Sequence, residues 1–306
     1  MRRGQSKFAE KPEGSPGVTA VSTLNIAVTG GSGKVGREAV KALRRAGHRV
    51  ANFDLRASPD GIRTPLADFA DYGQAIGALA GVDTIGKSFD AVVHLAGIPA
   101  PGLAPDHRIF ENNTLSTYNV FHACMRLGIR RIVWASSETL LGLPFDTPPP
   151  FAPLDESVSR PEWSYALSKQ LGEVMAEAFV RWVPDASISS LRFSNVFTPE
   201  DYAQIPEIQT QVARRKANLW SYVDARDCGE ACRLAVETGA PGHEAYIIAA
   251  ADTLMETPSA ELMRRFFPDT PLAANMDAFQ SLLSSEKAAQ RLGFRPQHSW
   301  RATPQP

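Results

Sequence analysis

Short apolar runs alternate along the chain with longer stretches whose apolar residues recur at helical spacing. Residues 24–28, 50–54, 62–66, 91–95, 131–135 and 187–193 read as strands, several of them apolar almost throughout. Runs without polar alternation suit strands covered on both faces, as in a parallel sheet. Residues 34–46, 115–127 and 164–182 carry apolar positions at helical period and lie between those runs. Strand alternating with helix predicts an α/β fold, a doubly wound parallel sheet with helices on both faces. Ligands of such sheets meet the carboxyl ends of the strands, so candidate chemistry is sought there.

Residues 1–22 break the pattern, being rich in Gly, Pro, Ser and charge with no apolar period. They are expected to form a disordered extension, and they lack the apolar stretch of a secretory signal. No internal repeat is visible.

Composition narrows the function classes. With 306 residues, 43% of them hydrophobic, and a net charge of -1, the chain can bury a large core. Its scattered Lys and Arg form no basic stripe, so a nucleic-acid partner is not expected. No apolar run approaches the length of a membrane span. Cys124, Cys228 and Cys232 form no CxxC pair and read as buried thiols of a reducing cytoplasm. The six histidines are dispersed, so no metal site is expected.

The first strand runs directly into Thr29-Gly30-Gly31-Ser32-Gly33-Lys34-Val35-Gly36 and then into a helix. Glycine is needed where the chain turns with positive φ or where backbone must touch a phosphate, and the helix start offers free N–H groups to a pyrophosphate. A Walker A loop is excluded, because Val28 and Val35 stand where that motif needs Gly and Ser or Thr. The dinucleotide reading requires an acid at the end of the second strand, and Asp54 lies 18 residues after Gly36. An Asp there holds the adenosine ribose hydroxyls and repels a 2′-phosphate, which favours NAD over NADP. Arg56, two residues on, softens that preference.

Tyr165 and Lys169 are four apart, so a helix places both on one face and brings an ammonium near a phenol. A neighbouring positive charge favours phenolate, which makes such a Tyr a base near neutral pH. Ser136 and Ser137 close a strand and offer a hydroxyl to the reacting oxygen.

Together these motifs resemble the extended short-chain dehydrogenase/reductase family, the NAD-dependent epimerase/dehydratase group, over residues 23–300. The glycine turn supplies Gly30, Gly33, Lys34, Val35 and Gly36. Asp68 and Phe69 resemble the pair beside the adenine, and Leu95, Ala96 and Gly97 the strand segment along the cofactor. The resemblance implies a Rossmann sheet with a small C-terminal substrate lobe, with residues 23–195 as the NAD-binding domain and 196–306 as the lobe interleaved with closing elements of the sheet. It implies Ser137, Tyr165, Lys169 and Asn113 as the catalytic set, the last three also touching the cofactor. Tyr165 would move the hydroxyl proton, Lys169 hold the nicotinamide ribose, and Ser137 bond the reacting oxygen. Ser137 is preferred to Ser136 because Gly142 then falls where the family's Tyr-Gly pair ends, although Leu141 replaces that Tyr. Asn113 reads alternatively as a helix cap. Ser137, Glu138, Arg192 and Asn195 are the candidate substrate contacts. Glu138 reads alternatively as solvated or capping.

Dehydratases of the group place a second carboxylate after the catalytic hydroxyl residue, but Thr139 follows Glu138 here. Only 26 residues separate Asn195 from Tyr222, little chain with which to enclose a nucleotide. This short lobe resembles the uronate dehydrogenase branch and implies a small free sugar or sugar acid as substrate. The basic Arg214-Arg215-Lys216 reads first as a solvated helix end, and alternatively as a partner for a carboxylate or phosphate if it folds inward. A nucleotide-sugar epimerase is the alternative, and a non-catalytic NAD(P)-binding sensor a weaker one, since Tyr165 and Lys169 are both present. By the same resemblance, the helices over 115–127 and 164–182 imply a homodimer.

Overall fold

The computed structural model describes residues 22–302 apart from 83 and 85, so the expected extension lies, but for Ser22, outside the described residues. The strands are β1 (Asn25–Thr29), β2 (Arg49–Phe53), β3 (Ala91–His94), β4 (Arg131–Ser137), β5 (Ser187–Phe193), β6 (Val196–Phe197), β7 (Val223–Asp224) and β8 (Gly242–Ile248). The helices are α1 (Lys34–Arg45), α2 (Tyr72–Leu79), α3 (Asp106–Leu127), α4 (Ser164–Trp182), α5 (Ile205–Thr210), α6 (Val212–Arg215), α7 (Ala225–Thr238), α8 (Ser259–Phe266) and α9 (Glu286–Leu292).

Six strands form one parallel sheet in the order β2-β1-β3-β4-β5-β8. Alternate residues of β1 explain its unbroken apolar run. Ile26 and Val28 pack with Val40 and Leu43 of α1 and with Ala231 and Cys232 of α7. Ala27 faces the other way, into a cluster with Phe121 and Cys124 of α3 and Ala176 and Phe179 of α4. A third cluster gathers Leu141, Phe145, Leu219, Trp220, Tyr222, Leu254 and Met263 beneath the carboxyl ends of the strands. The sheet order reverses between β1 and β3, the place where such folds open a ligand crevice.

The sheet departs from expectation at both edges. Residues 62–66 form no strand; a single bridge, Asp54 to Leu66, stands in its place. Pro65 has no N–H for a ladder and Leu66 is exposed, so a sixth strand gains neither hydrogen bonds nor burial there. The sixth strand is instead β8, at the opposite edge beside β5. The helix expected over 115–127 starts earlier, at Asp106. Cys124, Cys228 and Cys232 are free and buried on helices, as their neighbours implied.

Candidate active site

The turn after β1 is made by contact as much as by conformation. Gly30 has φ of +72°, and a Cβ on it would lie 2.5 Å from the Ala96 nitrogen. A Cβ on Gly31 would come within 1.8 Å of Asn52 Oδ1, and one on Gly36 within 2.2 Å of the Gly30 oxygen. The strand-to-helix turn therefore fits against β2 and β3 only without side chains. Gly33 is less crowded, a Cβ there meeting only the Gly30 oxygen at 3.3 Å, and it faces the cleft. α1 begins beside it with no side-chain cap and no acid in its first turn. Its first N–H groups and positive dipole end are thus left for an anion, and the donor set fits a pyrophosphate.

A cleft of about 1320 Å³ runs along the carboxyl ends of the strands from this turn. Gly30, Lys34, Val35, Gly36, Asp54, Asp68, Phe69, Leu95, Ala96 and Gly97 all line it. Asp54 caps the glycine turn: Oδ2 accepts the Ser32 N–H at 2.9 Å, and Oδ1 the Arg56 N–H at 3.2 Å. Lys34 pairs with Asp201 at 2.6 Å.

At the far end, β4 delivers Ser137 and α4 delivers Tyr165 and Lys169, all three lining the cleft. Ser136 points its hydroxyl at Glu173 (2.7 Å), whereas Ser137 caps the following turn and accepts the Thr139 N–H at 3.2 Å. Lys169 Nζ donates to the Ala135 carbonyl at 2.8 Å and lies 5.7 Å from the centre of the Tyr165 ring. The electrostatics differ from the expected lysine-activated phenol. Burial pushes the Tyr165 phenol up to about 12, the neighbouring Ser137 hydroxyl pulls it partway back, and the Glu138 carboxylate raises it further. Burial also lowers Lys169 to about 8.

Two expected site residues face elsewhere. Asn113 lies inside α3, well past its start, so it is no cap. Its Oδ1 accepts the Ile98 N–H at 2.8 Å and its Nδ2 donates to the Ile98 carbonyl at 3.0 Å, so the side chain clamps the loop after β3 instead of facing the cleft. Arg192 is buried on the α4 side of β5. Its Nε and Nη2 donate to Glu173 at 2.9 and 2.7 Å, and its Nη1 donates to the Val158 carbonyl at 3.0 Å. With every nitrogen engaged and no place on the cleft wall, it is a fold residue, not a substrate contact.

The substrate end is built from residues that spacing did not join. Glu138 is neither solvated nor a cap; it is 6% exposed, and burial pushes it up to about 7 against hydrogen bonds from Ser194 and Asn218. Arg215 does fold inward, with Nη1 and Nη2 donating to Asn195 Oδ1 at 3.2 and 3.3 Å. Lys216 turns away, its Nζ lying 5.8 Å from the Phe267 ring. Ser194, Asn195, Arg214, Arg215 and Asn218 thus form one wall of the cleft. Asn218 follows from its place before Leu219 and Trp220, two buried residues with φ of 52° and 53°. Such left-handed non-glycine backbone is held only where its surroundings over-determine it.

The NAD dependent epimerase/dehydratase family matches residues 26–249. The chain belongs to that family. It is an enzyme of the extended short-chain dehydrogenase/reductase type, and its cofactor is NAD, which the glycine turn, the uncapped α1 and Asp54 are built to fit. L-Arabinose 1-dehydrogenase (NAD(P)(+)) of Haloferax volcanii is 28% identical over 285 residues, covering 89% of this chain and 95% of that protein. UDP-glucose 4-epimerase 3 of Oryza sativa subsp. japonica is 31% identical, but over 138 residues, 40% of this chain and 37% of that protein. A mutated uronate dehydrogenase shares the fold with a TM-score of 0.63 at 22% identity, covering 91% of this chain and 84% of the other. Among the described residues no helix is long and apolar enough to cross a membrane, and no group of His, Cys, Asp and Glu is arranged to hold a metal ion.

Proposed function

We propose that this enzyme is a dehydrogenase of a small free sugar or sugar acid, with Tyr165 as its base. The observation that carries the reading is the short wall from Ser194 to Asn218, which closes the substrate end of the cleft with compact polar groups. The cleft-lining residues of that wall offer hydrogen bonds to a small polyhydroxylated molecule and include no aromatic side chain; the aromatic groups of the cleft, Phe69, Trp163, Tyr165 and Phe193, lie outside it. The sugar dehydrogenase of Haloferax volcanii, alignable over nearly its whole length, supports the same reading.

Bound NAD supplies the hydride acceptor. The sugar's C–H bond breaks with its electron pair leaving as hydride, the O–H proton passes to the Tyr165 phenolate, and a carbonyl remains. Ser137 holds the reacting oxygen in line with that phenol. Lys169, whose Nζ donates to the Ala135 carbonyl, would hold the nicotinamide ribose. Desolvation holds the phenol proton in the free protein and the Ser137 hydroxyl opposes it; a positive charge beside the phenol would favour the phenolate. Asn113 acts as a positioning residue through the Ile98 loop. Residues 23–195 form the NAD-binding unit and 196–306 the substrate lobe with its closing elements. Leu115 and Tyr118 on α3 with Leu167 and Val174 on α4 are exposed apolar side chains suited to a homodimer face.

The test is a spectrophotometric screen at matched concentrations. NAD reduction with a free aldose or hexuronate is expected; turnover of a UDP- or dTDP-sugar above every free sugar overturns the reading in favour of an epimerase. Asp54→Ala is expected to weaken NAD more than NADP, because the ribose contact is lost while repulsion of a 2′-phosphate is relieved. Fluorescence titration of both cofactors checks it, and tighter NADP binding by the unaltered protein would reverse the assignment.

A further inference from the structure

Ser137 is the hydroxyl assigned to the reacting oxygen, and its acceptor side is already filled. A serine hydroxyl offers one proton and two acceptor positions. The Thr139 N–H takes one of these at 3.2 Å, and the Thr139 hydroxyl donates into the other at 3.1 Å. Both donors belong to one residue, which lines the cleft and is set by the tight helical turn over Glu138–Leu141. Packing pins that turn: Leu140 and Leu141 are fully buried, and the Leu140 carbonyl accepts the Arg160 N–H at 2.6 Å. Ser136 offers no substitute, because its hydroxyl donates to Glu173.

We infer that Thr139 is a positioning residue that makes Ser137 a donor only, so that the proton of the substrate hydroxyl has Tyr165 as its destination. The inference rests on the reading of Ser137 and Tyr165 as the reacting pair and deepens it, without depending on which sugar is bound. In the oxidation, the C–H electron pair leaves as hydride to NAD and the O–H proton leaves the same oxygen. A Ser137 with an open acceptor position would take the alcohol's O–H in a hydrogen bond and hold its proton away from the phenol. With both positions occupied, Ser137 donates to the alcohol oxygen, supports the negative charge developing there, and leaves the alcohol's own proton to the phenolate. Thr139 and Ser137 keep their protons throughout; only the substrate proton moves, to the Tyr165 oxygen.

The same arrangement acts on the phenol. The Ser137 hydroxyl favours the phenolate, since a donor stabilises the charged form. The charged groups around this phenol are the Glu138 carboxylate after β4, which opposes ionisation, and Lys169 on α4. Removing the Thr139 hydroxyl would open a lone pair on Ser137 to the phenol O–H, and a hydrogen bond to the neutral form raises the phenol.

The experiment compares Thr139→Val, which keeps the shape and the backbone N–H but loses the hydroxyl, with Thr139→Ser, which keeps the hydroxyl. Both are assayed with NAD on whichever free or nucleotide-linked sugar the substrate screen shows to be turned over. Thr139→Val is expected to lose about tenfold in kcat, with NAD affinity by fluorescence titration within about twofold of the parent. The acid limb of its kcat profile should move to higher pH by about half a unit to one unit. Thr139→Ser should restore both kcat and the limb. A merely structural threonine would leave the limb in place whatever happened to kcat. Thr139→Val with either readout unmoved, or Thr139→Ser no better than Thr139→Val, overturns the inference. If Thr139→Val does not fold, Thr139→Ala, which also lacks the hydroxyl, is judged by the same two readouts. The expected behaviour on a nucleotide-linked sugar would uphold the inference while removing the free-sugar reading; no turnover of any sugar would remove the chemistry that Thr139 serves and overturn it.

Discussion

Replacing Tyr165 by Phe is expected to leave NAD affinity close to that of the unaltered enzyme while lowering turnover by about 100-fold to 10,000-fold, the usual weight of a general acid-base group. The ring fills the same buried site between α4 and the cleft, so packing and cofactor shape are kept and only the proton acceptor goes. Lys169→Met should differ in kind, damaging both NAD binding and turnover, since Lys169 is assigned to the ribose as well as to the phenol. Cofactor fluorescence titration alongside initial rates separates the two variants. Wild-type turnover in Tyr165→Phe would remove Tyr165 from the chemistry.

The nucleotide end was legible because its signal is local. Gly30, Gly31, Gly33 and Gly36 follow one another along one turn, and each contact that forbids a Cβ involves that turn or the strands beside it. Asp54 was found for the same reason, since it closes the neighbouring strand and bonds back to the turn. Helical spacing likewise placed Tyr165 and Lys169 on one face, but it carries no information about desolvation. Burial governs both groups, and it moves the phenol in the direction opposite to the one that charge proximity implied.

The substrate end was legible only in part, because its residues come from separate segments. Glu138 follows β4, Ser194 and Asn195 follow β5, and Arg215 and Asn218 precede β7; no spacing rule connects them. Arg192 and Asn113 illustrate the converse failure. Both stand in recognisable motifs, but a motif does not tell which way a side chain points. The pleat of β5 turns Arg192 to the α4 face while Ser194, two residues on and past the end of the strand, reaches the cleft. The outer strand at 62–66 failed for a local reason that the apolar count concealed, the missing N–H of Pro65.

Arg192→Ala should then be a stability variant, not a specificity variant. The Arg192 and Glu173 side chains are 4% and 10% exposed and joined by two charge-assisted hydrogen bonds, and the Ser136 hydroxyl completes the carboxylate's partners. Removing the guanidinium leaves a buried carboxylate with one remaining donor and frees the Val158 carbonyl as well. Breaking one side of a buried pair costs about 3 to 5 kcal/mol, because the abandoned charge keeps its desolvation penalty. Urea unfolding should show a matching fall in stability, and the enzyme that remains folded should keep its KM for the sugar. The double change Arg192→Met with Glu173→Leu should recover much of the loss, since it removes the stranded charge and fills the space with apolar atoms. A protein as stable as the parent but with a raised KM would instead return Arg192 to the substrate site, and would require the β5 face that now packs against α4 to open towards the cleft.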